Sequence, residues 1–163
     1  MNGEENKSAR ENPIQLVTFR LGRERYGITV GKVKEIIRPM EACPIPGMAG
    51  PVEGVINLRG EIIPVLRINE ILGVEAGEEI CARRRRVIIL ESGSGGFGIS
   101  VDEVMEVIKV ESGMIRPSPE VGAERRCGKA ILGIVDLAGT MAICLDPGAL
   151  VAESLAGEEL ATT

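Results

Sequence analysis

The chain has 163 residues, 24 of them acidic and 19 basic, for a net charge of -5, and 44% are apolar and 26% charged. This length can bury roughly two-thirds of its unfolded surface, so a sizeable core is expected and wholesale disorder is not. Having no His excludes imidazole catalysis, His zinc ligands and histidine phosphotransfer, and the acidic balance with one Tyr, two Phe and no Trp leaves no platform for nucleic acid.

Residues 1–14 are polar and aperiodic and read as a flexible N-terminal tail. Gln15 to Leu21, a turn over Gly22 to Arg25, and Tyr26 to Val30 read as a β-hairpin. Gly60 to Leu66 is a further strand, and Asn69 to Leu72 a short helix ended by Gly73. A linker over about 75–84 is acidic at Glu75, Glu78 and Glu79 and runs into basic Arg83, Arg84, Arg85 and Arg86. Those acids, and the lack of interleaved aromatics, favour a solvated linker over a nucleic-acid patch. Arg86 to Leu90 is another strand, and Gly93-Ser94-Gly95-Gly96, without a Lys or a following helix, reads as a hairpin turn and not a phosphate cradle. Over Pro147 to Leu155 a C-terminal helix is expected, capped by Asp146, with Pro147 at its first position and a tail to residue 163.

The 21 Gly and 9 Pro separate short Val/Ile-rich runs, so the fold class is all-β with short helices. Scarce aromatics leave the core to Val, Ile, Leu and Met. No apolar run reaches the ~18 residues of a membrane-spanning helix. Cys43, Cys81, Cys127 and Cys144 include no C-x-x-C pair, so reduced thiols are expected, with no metal and no cofactor.

The chain also repeats itself. Tyr26 to Arg38 (YGITVGKVKEIIR) set over Phe97 to Lys109 (FGISVDEVMEVIK) gives six identities and four conservative pairs in thirteen positions. Downstream, Gly54 to Gly60 (GVINLRG) sets over Gly133 to Gly139 (GIVDLAG). Two units of about 65 residues are each too small to be comfortable alone and should share a core. The expectation is two five-stranded barrels, a first over about 15–74 and a second over about 85–146, packed together. Positions common to both units serve the fold, whereas those that differ are free to serve a partner. Arg59 faces Ala138, so its planar fork is not needed to make the turn; recognition of a partner and a solvated turn arginine both remain open.

The order V-T-F-x-L-G, Y-G-I-x-V-x-x-V-x-E-I, G-V-I-N-L-R-G-E-I-I-P-V, G-I-x-V-D-x-V-x-x-V and I-R-P-x-P resembles the CheW family, from Val17 to Val65 and from Val87 to about Asp146. The resemblance implies two SH3-like barrels around a common apolar core, with the CheW-like domain over 15–151. It implies a non-enzymatic, cytoplasmic adaptor that couples chemoreceptors to the regulatory domain of a CheA-type histidine kinase and is recruited to membrane-bound receptor arrays. No nucleic acid and no direct membrane insertion are expected. The receptor's helical hairpin tip would dock between the barrels on Val33, Glu35, Asn57 and Arg59, with Val104, the twin of Val33, as a further candidate. Glu35 has a twin in Glu106, which leaves a bracing role open. Kinase contacts fall on Ile45, Pro46 and Leu58, for which a core role is an equal alternative. One departure stands out: the family usually has Pro-Val-x-Asp-Leu-Arg after this strand, and here Arg67 replaces the acid and Asn69 the final base. The short polar ends suggest a stand-alone adaptor. The alternative function is a ligand-binding or thiol-dependent regulator that uses the inter-barrel groove, with Cys43 or Cys144 as nucleophile and no evident base for either.

Overall fold

The computed structural model describes residues 13–47, 50–74, 82–92, 95–117 and 130–152. The expected N-terminal tail up to residue 12, the acidic part of the linker, Gly93, Ser94, Cys81, Cys127 and everything after residue 152 lie outside the described residues. Each repeat supplies five strands. The first gives β1 (Pro13–Leu21), β2 (Glu24–Thr29), β3 (Val33–Ile37), β4 (Val52–Leu58) and β5 (Glu61–Leu66). The second gives β6 (Arg86–Ser92), β7 (Gly95–Val101), β8 (Glu103–Glu111), β9 (Ile131–Leu137) and β10 (Thr140–Leu145).

The strand order corrects one expectation. One sheet runs β8-β1-β2-β10-β9 and the other β3-β6-β7-β5-β4, so the barrels do not occupy residues 15–74 and 85–146 in succession. Each combines the leading hairpin of one repeat with three later strands of the other. The cause is at the corners: a 3-10 turn, Val30–Lys32, joins β2 to β3, and Asp102 alone joins β7 to β8. Asp102 alone is too short to close a two-residue hairpin, so β8 crosses into the neighbouring sheet, and β3 does the same after the Val30–Lys32 turn. The edges left open are taken in parallel, β10 on β2 and β5 on β7. Cys144 thereby lies beside Gly27 and Val65 beside Gly98, the same pair of positions in the two copies.

Period-two burial follows from this exchange. On β6, Ile88 and Leu90 enter a core shared by both sheets, while Val87 and Ile89 enter a small core with Ile56, Ile63 and Val65 inside their own sheet. The other sheet encloses Leu16, Val110, Val135, Ala142 and Cys144. The three aromatics, Phe19, Tyr26 and Phe97, all lie in the shared core, where Phe19 and Tyr26 stack across the hairpin at 5.9 Å between centroids. Met40, Met105, Met114 and Met141 are exposed, so among the described residues methionine does not build the core as expected.

Among the described residues, two helical segments pack on the shared core. α1 (Ile68–Leu72) buries Ile68, Ile71 and Leu72 and stops at Gly73, whose φ of 70° is left-handed. α2 is described over 147–152. Asp146 caps it as expected: its Oδ1 accepts the Gly148 N–H at 3.1 Å, and fully buried Leu150 anchors the helix. No helix among the described residues is long and apolar enough to cross a membrane. Arg83, Arg84 and Arg85 are exposed and Arg86 half-buried, in keeping with a mostly solvated linker.

Candidate functional site

β4 and β5 are joined by Arg59 and Gly60, with φ of 53° and 85°. Positive φ at both central positions is type I′ geometry, whose twist matches that of the flanking strands. The twin hairpin between β9 and β10 repeats it at Ala138 and Gly139, with φ of 51° and 94°. In both copies a side-chain oxygen closes the turn. Asn57 Oδ1 accepts the Gly60 N–H at 2.9 Å, and Asp136 Oδ1 accepts the Gly139 N–H at 3.0 Å. Asn57, expected as a receptor contact, therefore has a structural task shared with its twin.

Arg59 has no such task. Its side chain is 75% exposed, and Nη1 and Nη2 donate to Glu35 Oε1 and Oε2 at 2.7 and 3.1 Å. Glu35 lies on β3, at one edge of its sheet, and Arg59 follows β4, at the other, so this fork spans the gap between the two edge strands. Lys34 and Glu61 make a second crossing at 3.5 Å. The hydrogen bonds to Glu35, and then its charge, push the guanidinium pKa further up, so the cation persists at every physiological pH. Exposed pairs add little to stability, but a bidentate one aims the planar group.

The equivalent end of the other barrel has different chemistry. Ala138 replaces the arginine, and Glu106 has no salt bridge among the described residues. Around it Met105, Val107 and Met141 are exposed. One mouth is cross-braced by ion pairs, whereas its twin, with Met105 for Lys34 and Ala138 for Arg59, has none among the described residues; exposed Ile36 and Ile62 of the first match Val107 and Met141 of the second. This contrast, and the Lys34–Glu61 crossing, were not anticipated, although setting Lys34 over Met105 in the repeat carried the signal.

Val33 and Val104 are half-buried against the shared core, so each serves packing as well as presenting an edge. The structure unites Glu35, Arg59 and, through the turn, Asn57; Val104 lies in the other sheet, paired with Phe19. An open cleft of about 520 Å3 flanks the corner before Val33, lined by Ile14, Thr29, Val30, Gly31 and Lys109 among others. Ile45 and Pro46 are exposed on the segment between β3 and β4, which is tied to β4 by the Cys43–Val55 bridge. Leu58 is half-buried and packs on the small core beneath β4, which favours its structural alternative.

Of the two described thiols, the one in the core is held away from reactivity. Cys144 is buried, and burial pushes its pKa up to about 11, away from the thiolate a nucleophile needs. Cys43 is exposed, and no cluster of three or more Cys, Asp or Glu that could hold a metal occurs among the described residues.

A family model described as a CheW-like domain matches residues 15–155. The chemotaxis protein CheW of Treponema pallidum is 34% identical, over 78% of this chain and 81% of its own length. CheW of Klebsiella aerogenes is 32% identical, over 90% of this chain and 84% of its own. The crystal structure of the scaffolding protein TtCheW from Thermoanaerobacter tengcongensis superposes with a TM-score of 0.76 at 32% identity, covering 85% of this chain and 87% of that one. The SH3-like character of the two barrels agrees with that likeness, and with a family model spanning both repeats the chain belongs to the CheW-like domain family.

Proposed function

We propose that this chain is a non-enzymatic chemotaxis adaptor that holds the helical hairpin tip of a chemoreceptor and the regulatory domain of a CheA-type histidine kinase. It acts in the cytoplasm, at membrane-bound receptor arrays. The observation that carries the reading is the guanidinium of Arg59: exposed, aimed by Glu35, and present in one copy of a duplicated turn that forms equally well without it. An apolar stripe of a receptor helix fits the cleft at Val30 and the edge at Val33, while Arg59 and Glu35 set its register at the rim. Asn57 acts by holding the turn. The kinase is assigned to Ile45 and Pro46, exposed on the segment that the Cys43–Val55 bridge fastens along β4, a barrel-end surface that a barrel of a different protein can meet.

The test is calorimetric titration of the chain with a purified receptor cytoplasmic hairpin. Arg59→Ala and Arg59→Glu should weaken binding by about tenfold or more, as for an interface anchor. Kinase regulatory-domain binding should be preserved in the same variants, and their circular dichroism unchanged. Wild-type receptor affinity in both variants rules out the assignment of Arg59.

A further inference from the structure

At the end of β5 away from Arg59, two oddities separated in sequence come together. Arg67, where the family usually has an acid, and Arg85 and Arg86 of the arginine run line one cleft of about 240 Å3 at the junction of the two sheets. Its apolar lining comprises exposed Pro39 and Met40, buried Leu21 from one sheet, and buried Val65 and Val101 from the other.

The two acids of the cleft each accept a hydrogen bond, Glu53 from within the cleft and Asp102 from outside it. Glu53 Oε2 accepts from Ser100 Oγ at 3.1 Å, and Asp102 Oδ2 accepts the Gly22 N–H at 2.7 Å. Among the described residues neither acid forms a salt bridge with an arginine of the cleft. Arg86 Nη1 donates to the carbonyls of Arg83 and Arg85, both at 2.7 Å, which pins its guanidinium at the rim. Arg67 reaches Glu70 only at 3.5 Å, in an exposed pair that a competing carboxylate can displace.

Guanidiniums beside the exposed apolar surface of Pro39 and Met40 match a carboxylate that sits next to an aliphatic group. Size narrows the class. Cofactor and small-molecule sites usually span about 300–1,000 Å3, more than this cleft offers. We infer that it takes an acidic-aliphatic peptide segment of a partner protein, an Asp or Glu beside a Leu, Ile or Val. The contact is separate from the one proposed for Arg59, because the ends of β5 lie about 17 Å apart along the strand. It therefore stands whether or not Arg59 meets a receptor.

Selection of random displayed heptapeptides on the whole chain tests this. Sequences with an acid next to an aliphatic residue should be enriched. Affinity for such a peptide should fall about tenfold or more in the double variant Arg67→Asp, Arg85→Glu, which reverses two of the three charges. Arg67→Lys should lower it less, since the charge stays and the fork is lost, and Arg59→Ala should leave it unchanged. In the wild-type chain the same peptide should shift the amide signals of Ser100 and Val101, a readout that does not depend on any variant folding. Enriched peptides lacking acids, acidic peptides that still bind the double variant, or competition by inorganic phosphate with no acidic peptide selected would each overturn the inference.

Discussion

Replacing Gly54 with alanine probes how the loop proposed to meet the kinase is fastened to its barrel. A Cβ there would lie 2.5 Å from the carbonyl oxygen of Cys43 and 2.8 Å from its carbonyl carbon, both backbone atoms that no rotamer change can move. Restoring ordinary contact means displacing that segment by about 1 Å. The segment is held by two hydrogen bonds, Cys43 N–H to the Val55 carbonyl at 2.8 Å and Val55 N–H to the Cys43 carbonyl at 3.0 Å, and both would stretch beyond useful length. At about 0.5–1.5 kcal/mol net for each, the loss is about 2 kcal/mol. For a chain of this size that corresponds to a fall in Tm of about 4–8 °C. Urea unfolding followed by circular dichroism measures it. Gly133→Ala should cost a similar amount, because its Cβ would meet the Arg116 carbonyl oxygen at 2.7 Å. Gly31→Ala is the control, with nothing within 4 Å of its Cβ. If Gly54→Ala unfolds at the same urea concentration as Gly31→Ala, the close backbone crossing is not a stability determinant and the reasoning fails.

Three further outcomes are expected. Thr18 is fully buried, and its Oγ1 both donates to the Glu106 carbonyl at 2.6 Å and accepts the Glu106 N–H at 3.1 Å, at the bulge between β1 and β8. Thr18→Val should destabilise by about 2 kcal/mol in urea unfolding and Thr18→Ser by much less, since only the first orphans both groups at an edge strand that water partly reaches. Iodoacetamide at neutral pH should alkylate Cys43 in the native chain and leave Cys144 untouched, as peptide mass spectrometry will show. The Cys144 pKa is raised from 9.0 to about 11, so its contribution to stability is whole below pH 9 and is lost as the pH rises to 11, by at most about 2–3 kcal/mol. Cys144→Val, which copies its twin Val65, should fold and lack that component when stability is compared at pH 9 and 11.

Much of the local structure was legible because the chemistry that directs it is local. Gly73 stops α1, Asp146 caps α2 and Gly22 turns the first hairpin, each through a bond or backbone angle set within a few residues. The duplication was legible too, and so was the contrast between Arg59 and Ala138 that marks a side chain the turn does not need. Asn57 was assigned to a partner, and its twin Asp136 carried a further message, that a side-chain acceptor at this position closes the turn. Methionine was assigned to the core by elimination, yet the described methionines are exposed while three aromatics and many Val, Ile and Leu fill the interior.

The amino-acid sequence by itself determined that there are two copies of one small β unit, where each turns, and which copy carries the arginine. Only the tertiary structure decided that the copies exchange hairpins, that Arg59 reaches across two sheet edges to Glu35, and that Arg67 meets Arg85 and Arg86 in one cleft. A strand edge offers the same row of N–H and C=O groups whatever side chains it bears, so similarity between the copies cannot say whose edge each hairpin will join. That choice falls to the corners at Val30–Lys32 and Asp102, and to the one shared core that both sheets must close.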